Sequence, residues 1–410
     1  MAVEWLKEIG FGFLWLFVQP LLYLAIAYSF WTGYRRIKKD RRQFGHRVFS
    51  NGFEWKNTWW LGVLLGLLLS VGLVASGGFL NYTWVLMLSC VVLILMLVNQ
   101  VALLSPVYTI GIAGAITFSL AWFGSDFLPN ELQDEVVSVD VIMVSYLLIA
   151  LLITEGLLFL KSKRNHSFPM LHKGKRGKYI ASHTIKKLMV VPLMVPIPGG
   201  VLELSPWLGW WPVFDYGGDG FGLMLIPFII GASQRFQGVF SDIGAKKVGK
   251  SLLLFSLILV GGAVAVFFYP SFAIALIGVA FVGRILIHLI FRSSDLEKRP
   301  IFTPQTDGIL IVGITPGSPA DAMGLQVGEK IEKVHGRPVA NEHEFFEVMS
   351  ENRTYCKLAV RDLNGEIRFV QRAIYEGERH ELGLIFIKET PRFSLRTESI
   401  EIENEEEKSS

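Results

Sequence analysis

Residues 251–291 read SLLLFSLILVGGAVAVFFYPSFAIALIGVAFVGRILIHLIF, two apolar runs parted by Tyr269-Pro270, with Arg284 and His288 the only Lys, Arg or His and no acid at all. At 1.5 Å of rise per residue, about 20 apolar residues span a hydrocarbon core of about 30 Å. Each run meets that length, so the segment reads as a helix that crosses a bilayer and a second that returns. Immediately beyond it, Arg292-Ser293-Ser294-Asp295-Leu296-Glu297-Lys298-Arg299 changes character, and from there charged and apolar residues alternate at short range. The main boundary of the chain falls here.

Working outward toward the N-terminus, further long apolar runs occupy 9–31, 58–76, 84–104, 107–124, 139–160, 188–204 and 220–234. Pro192, Pro196, Pro198 and Gly199-Gly200 interrupt the first of the last two, and Pro227 the second, which makes them the weakest. With 51% hydrophobic and 18% charged residues over 410 positions, the chain carries an apolar excess that lipid has to meet. The expected fold is therefore an α-helical polytopic membrane domain over 1–291 with eight or nine transmembrane helices, nine if 9–31 crosses fully and eight if Gln19-Pro20 makes it re-entrant. The first run lacks a basic leader and an A-x-A cleavage site and reads as a retained anchor. The unpaired break from Pro192 to Gly200 reads as a re-entrant packing element.

Charge orients this domain. Seven Lys/Arg fall in 35–47 and nine in 161–187 without an acid, and 235–250 is also basic. The segments 77–83, 125–138 and 205–219 contain no Lys or Arg, and five acids lie in 126–140. Basic loops stay in the cytoplasm, so the part after Arg292 is expected there. Trp59, Trp60, Trp84, Trp207, Trp210 and Trp211 stand near helix ends, as interfacial aromatic belts do. The net charge of +3 thus reports topology and lipid contact rather than nucleic-acid binding. Ionisable groups at lipid depth are few. Glu155 is expected to reach a basic partner such as Lys161 at the interface, and Arg284 and His288 to snorkel.

Beyond a linker at 292–304, a small α+β unit is expected over 305–388. Gly308-Ile-Leu-Ile-Val-Gly-Ile314 is β-rich and stops at Thr315-Pro316-Gly317. Ser318-Pro319 then places a cap and a proline at the first turn of a short helix closed by Gly324. Asn341-Glu342-His343-Glu344 is a variant capping box opening a helix with Phe345, Val348 and Met349 on one side. Strands at 354–362 and 367–373 flank Asn364-Gly365, a type I′ hairpin signal, and a last strand runs 382–387. The tail at 389–410, with Glu405-Glu406-Glu407, is expected to be acidic and disordered.

These residues carry a resemblance. The stretch Gly-Ile-Thr-Pro-Gly-Ser-Pro-Ala-Asp-Ala-Met-Gly-Leu-Gln-Val-Gly-Glu-Lys-Ile resembles the core of bacterial PDZ domains, departing from the usual pattern at Met323 and Glu329. It implies a circularly permuted PDZ-like domain whose groove strand comes last, with Glu381, Leu382, Gly383, Leu384, Ile385 and Phe386 similar to the carboxylate-binding loop. A glycine there can present backbone N–H groups to a carboxylate, and the strand edge can accept a peptide by β-augmentation. Leu382, Leu384, Phe345 and Met349 are candidates for the side-chain pocket, although Phe345 and Met349 serve equally well as the core stripe any amphipathic helix needs.

A membrane protein with a PDZ domain invites a site-2 protease reading, but the zinc motif His-Glu-x-x-His is missing. His343-Glu344-Phe345-Phe346-Glu347 lacks the second histidine. No Ser-Lys pair, Gly-x-Ser-x-Gly elbow or Walker loop is present. Cys90 and Cys356 lack metal-site spacing. No catalytic, metal or cofactor residues are assigned, and the chain is expected not to be an enzyme. The whole arrangement, with Tyr34-Arg35-Arg36-Ile37-Lys38-Lys39-Asp40 after the first helix, resembles the MinJ family of division determinants in Bacillus-type bacteria. That resemblance implies a membrane adaptor enriched at septa and poles, linking a DivIVA-type protein to the MinD ATPase and so restricting FtsZ-ring assembly, with a peptide ligand in the PDZ groove. A PDZ-bearing regulator of a membrane protease or signalling complex is the alternative, and a transporter a more distant one.

Overall fold

The computed structural model describes residues 2–123, 141–174, 177–203, 220–352, 354–374 and 382–387. The acidic tail, Glu381, the whole acidic stretch 126–140 and Trp207, Trp210 and Trp211 lie outside them. The first helices are α1 (Ala2–Val18) and α2 (Pro20–Phe44), meeting at a bend of 49°. Proline cannot donate to the helical ladder, so the break falls at Gln19-Pro20. Then follow α3 (Trp59–Ser76), α4 (Tyr82–Leu97), α5 (Pro106–Phe123) and α6 (Val141–Leu160). After a sheet come α7 (Ser241–Phe268) and α8 (Phe272–Leu296). Four of these, α3, α6, α7 and α8, are long and apolar enough to cross a membrane, and the bent α1–α2 pair makes a fifth if it is one span.

The runs 188–204 and 220–234, expected as helices, are strands. They belong to β2 (Tyr179–Leu202) and β3 (Phe221–Phe236), a long antiparallel hairpin with β1 (Phe168–Lys173) added at its base. The prolines explain the outcome. Pro192 sits directly opposite Pro227 in the register, so both must face away from the shared ladder. Alternation then puts Pro196 and Pro198 on the same outward edge of β2 as Pro192, where no N–H is needed. In a helix the same prolines would each remove a hydrogen bond.

A strand edge inside an apolar bundle has to be satisfied without water. On β2 the cover is α3. Gly62 and Gly66 lie against the carbonyl oxygens of Val190 and Pro192, where any Cβ would collide, and the Met194 N–H donates to Ser70 Oγ at 2.8 Å. Leu80 N–H donates to Pro196 O at 3.1 Å. On β3 the cover is the α1–α2 break, where Gln19 Nε2 donates to Leu225 O at 2.9 Å and Gly12 lies against Leu223 O. The hairpin thus forms the centre of the bundle. Leu188, Val191, Leu193, Val195, Ile226 and Ile230 pack with Trp84, Leu88, Leu147 and Leu151 in one core. Outward faces carry exposed apolar side chains, among them Leu67 and Leu68 on α3 and Leu257 and Ile258 on α7. Trp59 and Trp60 are exposed at the start of α3, as a belt requires, whereas Trp84 is fully buried and belongs to the core.

The C-terminal unit comprises β4 (Ile309–Leu310), β5 (Gly313–Ile314), α9 (Pro319–Ala322), β6 (Lys330–Val334), β7 (Arg337–Pro338), α10 (Glu342–Glu351), β8 (Tyr355–Arg361), β9 (Ile367–Ala373) and β10 (Leu384–Ile385). Its main sheet has the order β4-β6-β8-β9 with β7 on β6, and β10 pairs with β5. The cap forms, with its return leg displaced by one residue: Glu344 N–H donates to Asn341 Oδ1 at 2.9 Å, while Glu344 Oε2 accepts the N–H of Ala340, the residue before the cap, at 2.7 Å. The β8–β9 hairpin lies where expected but is not a type I′ turn. Gly365 has φ +92° and Asn364 does not share it, because the Asp362 carboxylate accepts the N–H groups of Asn364 and Glu366. The unit's core is continuous with Phe44, Phe49, Phe53, Phe168 and Leu171 at the near end of the bundle.

Candidate peptide groove

The helix α10 forms because Asn341 caps it and Phe345 and Met349, four residues apart, give it one apolar side. That side is inward. Phe345 is fully buried, its ring 5.1 Å from that of Phe386 and inclined to it at 62°, and Met349 is buried beside the same core. Leu384, Ile385 and Phe386 are buried with them. Seven of the eight residues singled out in the sequence therefore come together, and the eighth, Glu381, lies outside the described residues.

They form a wall rather than an open lining. The carbonyls of Leu382, Gly383 and Ile385 accept the N–H groups of Ala320, Thr315 and Val312 at 3.0, 2.8 and 2.8 Å. Gly383 has φ +78°, and a Cβ added to it would collide with Ser318. This glycine is required by backbone conformation and close packing on the start of α9.

On the outer side of that wall lies a groove of about 1060 Å³ between the first turns of α10 and the segment 303–310. Phe346 and Ile387 supply its apolar surface with Ile309 and Leu310, and Asn341, Glu342, His343, Glu344 and Glu347 line the helix side. Phe346 is 46% exposed although the helix buries its neighbour. Its rim is acidic, since Glu342 and Glu347 join Glu344, whose oxygens are engaged in the cap. The contribution of 303–310 carried no sequence signal. The sign for Phe346 was available: it is an aromatic residue standing off the 345–349 stripe, which a helix with one buried side leaves outside.

Other candidates are structural. Glu155 pairs with Arg284, not with Lys161: Arg284 donates from Nη2 at 2.7 Å and Nε at 3.1 Å to Glu155 Oε1, and Ser105 Oγ donates to Oε2. Arg284 is 1% exposed and does not snorkel. No group of three or more His, Cys, Asp or Glu able to hold a metal occurs among the described residues. Burial pushes the Cys356 thiol up to about 12, which keeps it protonated and unreactive.

Fold and groove together define a protein of membrane-capable helices built round an apolar β-hairpin, with an α+β unit fused to its C-terminal side. No protein-family model matches the sequence. It is 33% identical over 395 residues to the cell division topological determinant MinJ of Bacillus subtilis (strain 168), covering 95% of this chain and 97% of that protein. A probable cell division topological determinant MinJ of Lacticaseibacillus paracasei is 24% identical over 378 residues, 91% of this chain and 96% of the relative. The chain belongs to the MinJ family of cell division topological determinants.

Proposed function

We propose that the chain is a non-enzymatic membrane scaffold for division-site selection, and that its C-terminal unit over 305–388 is a circularly permuted PDZ-type domain on the cytoplasmic side. In this reading the bundle holds the molecule in the cell membrane at septa and poles. The domain docks a partner peptide, linking a DivIVA-type protein to a MinD-type ATPase and so restricting FtsZ-ring assembly. The full-length similarity to MinJ proteins supports the division role.

The observation that carries the docking role is the exposed Phe346 in a groove whose helix-side rim carries Glu342, Glu344 and Glu347. An apolar anchor with carboxylates along one side suits a segment with one large apolar side chain flanked by Lys or Arg, since potentials across an interface are complementary. A scaffold needs such a surface and no reaction centre.

Replacing Phe346 by Asp removes the anchor and leaves the buried residues Phe345 and Met349 in place, at the loss of one edge-on ring contact with Phe345 at 5.4 Å. The expected result is loss of septal enrichment of the fluorescently tagged chain, with membrane insertion retained. Septal fluorescence equal to that of the unmodified chain sinks the groove as the docking site. Uniform membrane fluorescence of the unmodified chain, with normal division after deletion, sinks the scaffold reading itself.

A further inference from the structure

The base of the hairpin has two unlike faces. Directly opposed residues share a face, so the registers Met170↔Ser182, His172↔Ile180, Thr184↔Arg235 and Lys186↔Ser233 define one side. The opposite side, with Leu171, Ala181 and His183, packs on the C-terminal unit. The first side is polar and cationic. Arg235 donates from Nε to Ser182 Oγ at 2.8 Å and its Nη2 lies 2.9 Å from His172 Nδ1. From α2, Lys39 reaches over the same face, its Nζ 3.7 Å from Met170 Sδ.

Arg292 joins from α8. Asp295 accepts the N–H groups of Gln237 and Gly238 at 2.8 and 3.0 Å, which fixes the end of α8 beside the end of β3. Three residues earlier on that helix, Arg292 falls on the same side, and its Nη1 is buried with no hydrogen-bond partner. The positive charges are close enough to act on one another: burial and then Arg292 hold the Arg235 guanidinium below its usual range against the pull of Asp295, and burial and then Arg235 do the same to Lys39 against Asp40.

Among the described residues, no acid lies within ion-pair distance of Lys39, Lys186, Arg235 or Arg292. The nearby acids are engaged elsewhere. Glu54 and Asp40 hold Arg36 at 2.8 and 3.5 Å, and Asp295 holds the two amides.

Depth can be read from α3. Gly62 lies on Val190, and Lys186 is four residues, roughly 13 Å of strand, further out. Trp59 and Trp60 mark the interface less than a turn from Gly62. The cationic face is therefore at headgroup level, just outside the apolar layer.

We propose that this cationic face, flanked by α2 and the end of α8 at the hairpin base, binds a phosphate group, with Lys39, Lys186, Arg235 and Arg292 as its donors. Two sources offer that chemistry at this depth, the headgroup of an anionic phospholipid and free phosphate. The inference rests on the reading of the bundle as membrane-spanning, and carbonate extraction of the full chain from membranes tests that separately.

The experiment is native mass spectrometry of the purified full-length chain in detergent, titrated with dioleoylphosphatidylglycerol, dioleoylphosphatidylcholine or inorganic phosphate. The expected result is preferential retention of phosphatidylglycerol over phosphatidylcholine, weakened about fivefold for each cation lost in Lys186→Gln, Arg235→Gln and Lys39→Gln. Lys39 is exposed, so its variant carries the test even if a change in the hairpin impairs folding. Lys246→Gln, an exposed basic residue on α7, should bind as the unmodified chain does. Retention of inorganic phosphate but not of phosphatidylglycerol, lost in the same variants, supports the site and assigns it to the free anion. Retention of neither, or a phosphatidylglycerol preference unchanged in all three variants, overturns it.

Discussion

Arg284 and Glu155 form an ion pair with 1% and 0% of their side chains exposed, between two of the longest apolar helices. Two charges taken out of water together are costly and repay that cost only through their mutual bonds. Three donors meet Glu155 here, two from Arg284 and one from Ser105. The pair therefore locks α6 against α8 and the start of α5 in one register more than it adds net stability. Arg284→Met should cost about 3–5 kcal/mol, because it strands a buried carboxylate. The double replacement Glu155→Met with Arg284→Met should recover most of that loss. Denaturant titration of the purified chain reads both values, and a double variant as unstable as the single one contradicts the account. Neither partner was foreseeable as such from the sequence, since they lie 129 positions apart and Arg284 stands within two turns of the end of its apolar run at 291, whereas the helix continues to Leu296 and leaves Arg284 at its middle.

At the level of elements, the hairpin shows where pattern reading succeeds and where it stops. The runs 188–204 and 220–234 are apolar on every residue that matters, and a fully buried strand and a buried helix then share one hydropathy signature. What separated them was the spacing of proline. Pro192, Pro196 and Pro198 fall on one parity, which suits one edge of a strand and no face of a helix. In the C-terminal unit, by contrast, caps are explicit at Ser318 and Asn341 and both helices and the β8–β9 hairpin were legible, whereas the split of the 308–314 run into β4 and β5 and the short β7 were not. The groove was legible only as far as its wall, since 303–310 contributes through tertiary placement alone.

The same hairpin predicts how α3 tolerates change. Gly62→Leu or Gly66→Leu forces a side chain into a β2 carbonyl and should destabilise the bundle by about 1–3 kcal/mol or more. Gly72→Leu, on the same helix, meets nothing within 4 Å and should be neutral or slightly stabilising through helix propensity, by up to about 1 kcal/mol. Thermal unfolding followed by aggregation or tryptophan fluorescence compares the three. Equal effects at 62, 66 and 72 would remove the close approach of α3 to the strand edge as an explanation for these glycines.

On the scale of the whole molecule, the groove is useful to a scaffold only if the unit that carries it is held at a set angle to the bundle. A polar seam does this. Asn165 Nδ2 donates to Leu325 O and its Oδ1 accepts the Val327 N–H, both at 3.0 Å. Ile301 N–H donates to Gln237 O at 2.9 Å, and Ala181 N–H to Phe302 O at 3.0 Å. His183 completes it: its Nε2–H donates to Val312 O at 2.6 Å, its ring lies 4.2 Å from that of Phe302, and its Nδ1 is buried without a partner. Burial, with Arg164 nearby, pushes this imidazole down to about 4, against the bond to Val312 O that favours the charged form. A histidine depressed on folding contributes fully above its unfolded value of about 6.5, and that contribution is lost as pH falls through the window to about 4, on the order of 3 kcal/mol in all. The seam should therefore loosen on acidification while the two apolar cores persist. Limited trypsinolysis after Lys298, between α8 and Phe302, should accelerate between pH 6.5 and 4.5 after correction for the protease's own pH profile. His166, also held down to about 4 by burial, titrates in the same window, so His166→Asn should keep the step and His183→Phe should abolish it. A step that survives in His183→Phe assigns the seam's acid sensitivity to another group.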